Sequence, residues 1–284
     1  MAFRSHALAW QGWWLNLPQA TGRAAFMQDQ LDSLGLAPHY QRFSAFAGEP
    51  DHAVARGLQP GEEGAWRSWI ALLKQAAASD AELVHLVEDD VEITPQLTSL
   101  LGWPELGALL DANHLVCTDA YLGPNQARQA LEALRQYGGW IAITEGFVSP
   151  CICSLLARPA QLPPVIAALE RRWQAPGKLP PIDLALGELA HGGQLRFTTT
   201  APFVTGPAMD QARSSFIRPL GDASFERSRE AMTLLRRLML AQSDRSSLAF
   251  DWLPFWQSLE LETQQDALLD AFVGWIERGG VRPY

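Results

Sequence analysis

The run Leu83-Val84-His85-Leu86-Val87 is short and apolar, and it runs straight into Glu88-Asp89-Asp90, with Glu92 close behind. Its length and composition predict a buried β-strand, the element around which an α/β sheet is built. Adjacent carboxylates at the end of a buried strand are costly unless a cation reaches them. Hard divalent ions prefer oxygen ligands. In an α/β sheet, such a strand end lies where ligands bind. An ion that neutralises a bound diphosphate is therefore one reading, and a solvated acidic turn is the other. The residues alone leave the two level. If the strand persists, Glu88 and Asp90 share one face and Asp89 takes the other.

The pattern on either side supports an α/β body. Strands are predicted over 12–17, 39–46, 114–122, 140–147, 150–158 and 194–204. Helices are predicted over 23–34, 64–78, 124–138 and 162–174, with a broken helix over 97–112. In the first helix Ala24, Met27, Leu31 and Leu34 form the apolar stripe, and Gly35 stops it. In the second, Trp66, Trp69, Ile70 and Leu73 share a face. Residues 49–63 carry Pro, Gly and acid and read as a loop. From Asp222 onward the character changes to helical candidates at 225–242 and 262–277, with an aromatic cluster between them. The expected division is a body over 1–217 and a helical C-terminal extension over 218–284.

Composition excludes several classes. No run approaches eighteen apolar residues, so no spanning helix is predicted, and the first residues lack a convincing signal-cleavage site. Three Cys make no disulfide framework, which points to a reducing, cytoplasmic setting. A formal net charge of -9 argues against nucleic acid as partner. There is no GxGxxG, no P-loop and no GxSxG elbow. His85, inside the buried strand, reads as a hydrogen-bonded core residue.

Six segments, taken in order, resemble family 25 glycosyltransferases, the group of bacterial lipooligosaccharide and collagen galactosyltransferases. Trp14-Leu15-Asn16-Leu17 followed by Arg23 is similar to the family's opening strand. Phe43-x-Ala45-x-x-Gly48 looks like its next block. Leu58-x-Pro60-Gly61-Glu62-x-Gly64-x-x-x-Ser68 resembles its Gly-Glu-x-Gly-Cys-x-x-Ser-His segment. Leu86-Val87-Glu88-Asp89-Asp90-Val91 is similar to its central acidic motif. Pro181-Ile182-Asp183 and Ala201-Pro202-Phe203-Val204, with Ser214 and Ser215, resemble later elements. Where the family pattern has Cys and His, this chain has Ala65 and Trp69. An indole cannot relay a proton as an imidazole does. Trp69 is then a core filler, or the mark of a changed or inactive site.

The resemblance implies a GT-A-like fold and transfer of a hexosyl unit, galactosyl by analogy, from a UDP-sugar to a saccharide or glycolipid acceptor. It implies Mn²⁺ or Mg²⁺ held by Asp90 and Asp89. Donor contacts are expected from Asn16, Arg23, Ser68, Glu88 and Asp89. Asp183 is the expected general base, with Glu145 as competitor and Asp119 lining the same cleft. Read without the resemblance, Asp183 is equally a helix N-cap, Ser68 an ordinary helix residue and Arg23 a surface arginine. Arg227, Arg229, Arg236 and Arg237 form a basic patch, either a solvated helix face or a peripheral contact with anionic lipid. The rival reading of the whole is a non-catalytic binding or assembly protein on a glycosyltransferase scaffold.

Overall fold

The computed structural model describes residues 8–122, 124–144, 147–150 and 153–208, with residues 233, 235–237, 239 and 240. The strands are β1 (Trp10–Asn16), β2 (Tyr40–Ser44), β3 (Leu83–Glu88), β4 (Val91–Ile93), β5 (Leu115–Cys117), β6 (Ala120–Leu122), β7 (Ile141–Ile143), β8 (Phe147–Pro150), β9 (Ser154–Ala157), β10 (Phe197–Ala201) and β11 (Thr205–Pro207). The helices are α1 (Thr21–Ser33), α2 (Pro50–Arg56), α3 (Pro60–Ala77), α4 (Leu97–Leu101), α5 (Leu106–Ala112), α6 (Pro124–Tyr137), α7 (Leu162–Gln174) and α8 (Ile182–His191).

Seven strands form one mixed sheet in the order β2-β1-β3-β9-β5-β10-β7. β2, β1 and β3 are parallel neighbours, as are β5 and β10, while β9 and β7 run antiparallel to their partners. Two small ribbons, β4–β11 and β6–β8, lie outside it.

Alternation along the strands sends side chains into two apolar layers. Trp13, Leu15, Val84 and Leu86 pack with Trp66 and Trp69 of α3, Val165 of α7 and Ile182 of α8. Trp14, Leu83 and Val87 pack on the other face, with Met27 and Leu31 of α1, Leu97 of α4 and Leu106 of α5. The chain is thus a mixed α/β fold with helices on both sheet faces. Leu235 and Met239, from the segment expected as an extension, are fully buried in the first layer.

The connections create a reversal. From β1 the chain passes through α1 to β2 on one side, then returns through α2 and α3 to β3 on the other side of β1. The carboxyl ends of β1 and β3 therefore flank a topological switch point, where open α/β sheets bind ligands.

Several expectations change. Residues 49–63 contain a helix rather than only loop: Pro50 opens α2, Asp51 lies in its first turn, Arg56 in its last, and Gly57 closes it at φ 70°. The strand expected over 114–122 divides into β5 and β6, which join different sheets. Of the strand expected over 150–158, Pro150 closes β8 and Ser154–Ala157 form β9; of that over 140–147, Ile141–Ile143 form β7 and Phe147 begins β8.

Candidate functional site

Three elements deliver charged side chains to the switch point. β3 ends at Glu88, and Asp89 and Asp90 form a turn before β4. Glu88 follows the strand alternation toward α3, where the indole Nε1–H of Trp69 donates to its Oε1 at 3.0 Å. Asp89 turns to the opposite layer. Its Oδ2 accepts from Asn16 Nδ2 at 2.5 Å and its Oδ1 from Arg23 Nη1 at 2.9 Å. Arg23 also reaches Asp90 Oδ2 with Nη2 at 3.4 Å. The expected pairing of Glu88 with Asp90 on one face gives way because the strand stops first; one guanidinium bridges Asp89 and Asp90 instead.

Arg23 sits in the first turn of α1, against the helix dipole. Its side chain is only 11% exposed, so the two carboxylates decide its position. Asn16, at the end of β1, also donates from Nδ2 to the Ala20 carbonyl at 3.2 Å and accepts a short hydrogen bond from Arg42. Arg42 is a site neighbour that the sequence did not announce. Gln30 of α1 is another: it donates to the Val91 carbonyl at 3.0 Å and accepts from the Ile93 N–H at 2.7 Å, securing the outer edge of β4.

The electrostatics are unbalanced. Burial pushes the Glu88 carboxyl up to about 8; the Asp90 carboxylate adds to this, the Trp69 N–H works against it, and Asp89 and Asp183 push it further. Burial also raises Asp89, against the pull of Arg23. Asp183 thus belongs to the same charged neighbourhood as Glu88 although it lies on α8. Pro181 holds the N-cap position of α8, so Asp183 is not the cap. It stands in the first turn and accepts the Leu184 N–H at 2.9 Å.

Ser68 is buried and committed to structure. Its hydroxyl donates to the Gly64 carbonyl at 2.6 Å and accepts the Phe46 N–H at 2.8 Å. That ties the loop after β2 to α3. A Cβ on Gly64 would lie 2.6 Å from the Phe46 carbonyl oxygen, and one on Gly48 would lie 1.6 Å from that of Pro60. Two glycines of the family-like blocks are therefore needed for close backbone approach.

Asp119 is buried after β5 and accepts from Cys153 Sγ at 3.1 Å. His85 is the neutral core residue expected, held down to about 3 by burial. It links Tyr40 at 2.5 Å to Ser154 at 2.8 Å, and the chain of hydroxyls continues through Thr118 to Thr205 at 2.6 Å each. Of the basic patch, Arg237 is exposed, but Arg236 is buried and ion-paired with Glu92, so it faces neither solvent nor lipid. Glu145, Arg227, Arg229, Ser214, Ser215 and the aromatic cluster at 250–259 lie outside the described residues.

Among the described residues, no three His, Cys, Asp or Glu side chains gather as a ready-made metal cage. Both oxygens of Asp89 already accept hydrogen bonds. The neighbouring oxygens of Glu88 and Asp90 are of the type a hard cation takes, and Mg²⁺ bound with a diphosphate uses only one or two protein carboxylates. The residues fit such an ion in that limited sense. No helix among the described residues is long and apolar enough to cross a membrane. No protein-family model and no curated protein sequence matches the chain.

Proposed function

We propose that this chain is a glycosyltransferase of GT-A-like architecture that moves a hexosyl unit from a UDP-sugar to a hydroxyl of a saccharide or glycolipid acceptor. The supporting observation is the excess of carboxylate at the switch point: Glu88, Asp89, Asp90 and Asp183 share one electrostatic neighbourhood, and Arg23 bonds two of them. Such an excess suits a ligand that arrives with divalent cation.

In this reading Asp90 and Glu88 hold Mn²⁺ or Mg²⁺, which when bound neutralises the diphosphate leaving group. Asp89 orients Arg23 and Asn16 rather than coordinating. Arg23 faces the phosphates, and Asn16 with Arg42 borders the nucleoside end. Ser68 supports the loop beneath. Asp183, in the first turn of α8, accepts the acceptor hydroxyl's proton as the new bond forms; Glu145 is the alternative base. The galactosyl assignment rests on the family resemblance alone.

Calorimetry with UDP tests the reading. Affinity should be much higher with Mn²⁺ than with chelator, and Asp90→Asn should remove most of the difference while far-UV circular dichroism is unchanged. Equal UDP affinity in the two conditions would refute the metal assignment, and absence of binding by any nucleoside diphosphate would refute the donor.

A further inference from the structure

Arg236 is the least expected side chain near the acidic turn. It is 3% exposed, Nη2 bonds Glu92 of β4, and Nη1 has no hydrogen-bond partner among the described residues. Gly206 of β11 stands directly opposite Glu92 in the ribbon. A Cβ there would lie 2.5 Å from Arg236 Nη1, so this glycine gives the guanidinium its place. The Ala208 N–H donates to the Asp90 carbonyl at 2.8 Å, which extends the ladder one step beyond the Pro207–Val91 pair. Asp90 and Glu92 then share a ribbon face, roughly 7 Å apart. Each carries an arginine: Arg23 at Asp90 and Arg236 at Glu92.

We infer that Arg236 and Arg23 together form an anion site on this face of β4–β11, and that the anion is the diphosphate of the nucleotide. The identity of the anion rests on the functional reading above. A guanidinium offers a planar fork of donors matched to phosphate oxygens. Burying one with an unmet nitrogen is costly unless an acceptor arrives. Glu92 holds one side of the fork, and its own side chain is 47% exposed, so solvent reaches the ion pair on the carboxylate side only; Nη1 is buried and meets an anion when Glu92 lets the guanidinium turn outward. The C-terminal segment thereby contributes to donor binding.

The test is calorimetry on the full chain with Mn²⁺, using UDP, uridine and inorganic pyrophosphate. Arg236→Gln should lower UDP affinity at least tenfold and leave uridine affinity unchanged, and Arg236→Lys should lose less. Glu92→Gln should keep or raise UDP affinity, because it releases the guanidinium. This variant keeps Arg236 and carries the test even if Arg236→Gln does not fold. The inference is overturned if Glu92→Gln weakens UDP as much as Arg236→Gln does, since Arg236 would then act only as its ion pair. It is equally overturned if Arg236→Gln binds UDP like the wild type, which is the result if a buried water satisfies Nη1. That second outcome leaves the glycosyltransferase reading intact. Arg236-dependent binding of pyrophosphate without binding of UDP would keep the anion site and remove the nucleotide.

Discussion

Glu88→Gln should make the ligand-free protein more stable at alkaline pH, although it removes a charged group from the centre of the site. The folded carboxyl keeps its proton up to about 8, against an ordinary value of 4.5. Between those values the native state binds more protons than the unfolded state. Stability therefore falls as pH rises from about 4.5 to about 8 and levels beyond. Asp89, also raised by burial, contributes in the same direction. Holding a proton across that interval corresponds to roughly 5 kcal/mol at most. Glu88 is only half-buried and can relax toward water, so an effect on the order of 2 kcal/mol is the reasonable expectation. Gln at 88 keeps an oxygen for the Trp69 N–H and has no proton to hold. The assay is urea unfolding of both proteins with chelator from pH 5 to 9. The difference between them, which cancels every other titrating group, should open toward high pH, and Mn²⁺ should narrow it at pH 8. Parallel curves would refute the claim that uncompensated charge on Glu88 costs stability at the acidic turn.

Asp183→Asn should lower turnover by roughly 10²-fold at saturating donor and acceptor with UDP affinity retained; near-normal kcat would move the search for the base to Glu145 or Asp119. Trp69→Phe removes the one hydrogen bond that favours ionised Glu88, so its loss of stability between pH 5 and 9 should exceed the wild type's by about 1–2 kcal/mol, measured by the same unfolding series. Gly64→Ala would gain up to about 1 kcal/mol of helix propensity. Its methyl would meet the Phe46 carbonyl oxygen, so a net loss of roughly 1–2 kcal/mol is expected in denaturant melts.

Much of the layout is written locally. β1, β3, α3 and α7 carry clear runs or stripes and all form, β3 and α7 within a residue of the expected bounds, β1 starting earlier at Trp10 and α3 at Pro60, inside the stretch read as loop. The Glu88–Asp90 motif was visible because it ends such a strand, whereas Asn16 and Arg23 were singled out by the family resemblance. α2 was missed because Pro50 and Gly57 read as loop punctuation when in fact they start and stop one short helix. β5 and β6 read as one strand because nothing apolar separates them; the break at Thr118 comes from distant partners, its carbonyl taking the Val204 N–H and its amide reaching the Ser154 carbonyl. The Gln30 clasp on β4 and the Arg236–Glu92 pair are also long-range, and no local spacing encodes them. Arg236 sat in a sequence that looked like a basic solvated face; only its depth in the structure changes its meaning.

Trp69 is the sharpest case of a residue whose chemistry depends on its partner. In the sequence it stands where the family pattern has an imidazole and reads as core filler or the mark of a changed or inactive site. In the fold it is fully buried, yet its one polar atom reaches the site. Three residues earlier on the same face of α3, Trp66 donates its own Nε1–H to the Pro180 carbonyl at 2.9 Å. Pro180 leads directly into α8 and Asp183. One rigid helix therefore holds both Glu88 and the approach to Asp183, by two indoles that also fill the core. The amino end of α3 is fixed in turn by the close contact of Gly64 and Gly48 with neighbouring backbone and by Ser68 on Phe46. The segment Leu58–Ser68 thus fixes the start of the helix that carries Trp69, and Trp69, where the family pattern has a His, anchors Glu88 from behind. An indole N–H cannot be titrated away in the working pH range. The Trp69 N–H therefore stays available to the Glu88 carboxyl in either protonation state, so a change of charge there alters the field at the switch point while the donor from α3 is kept.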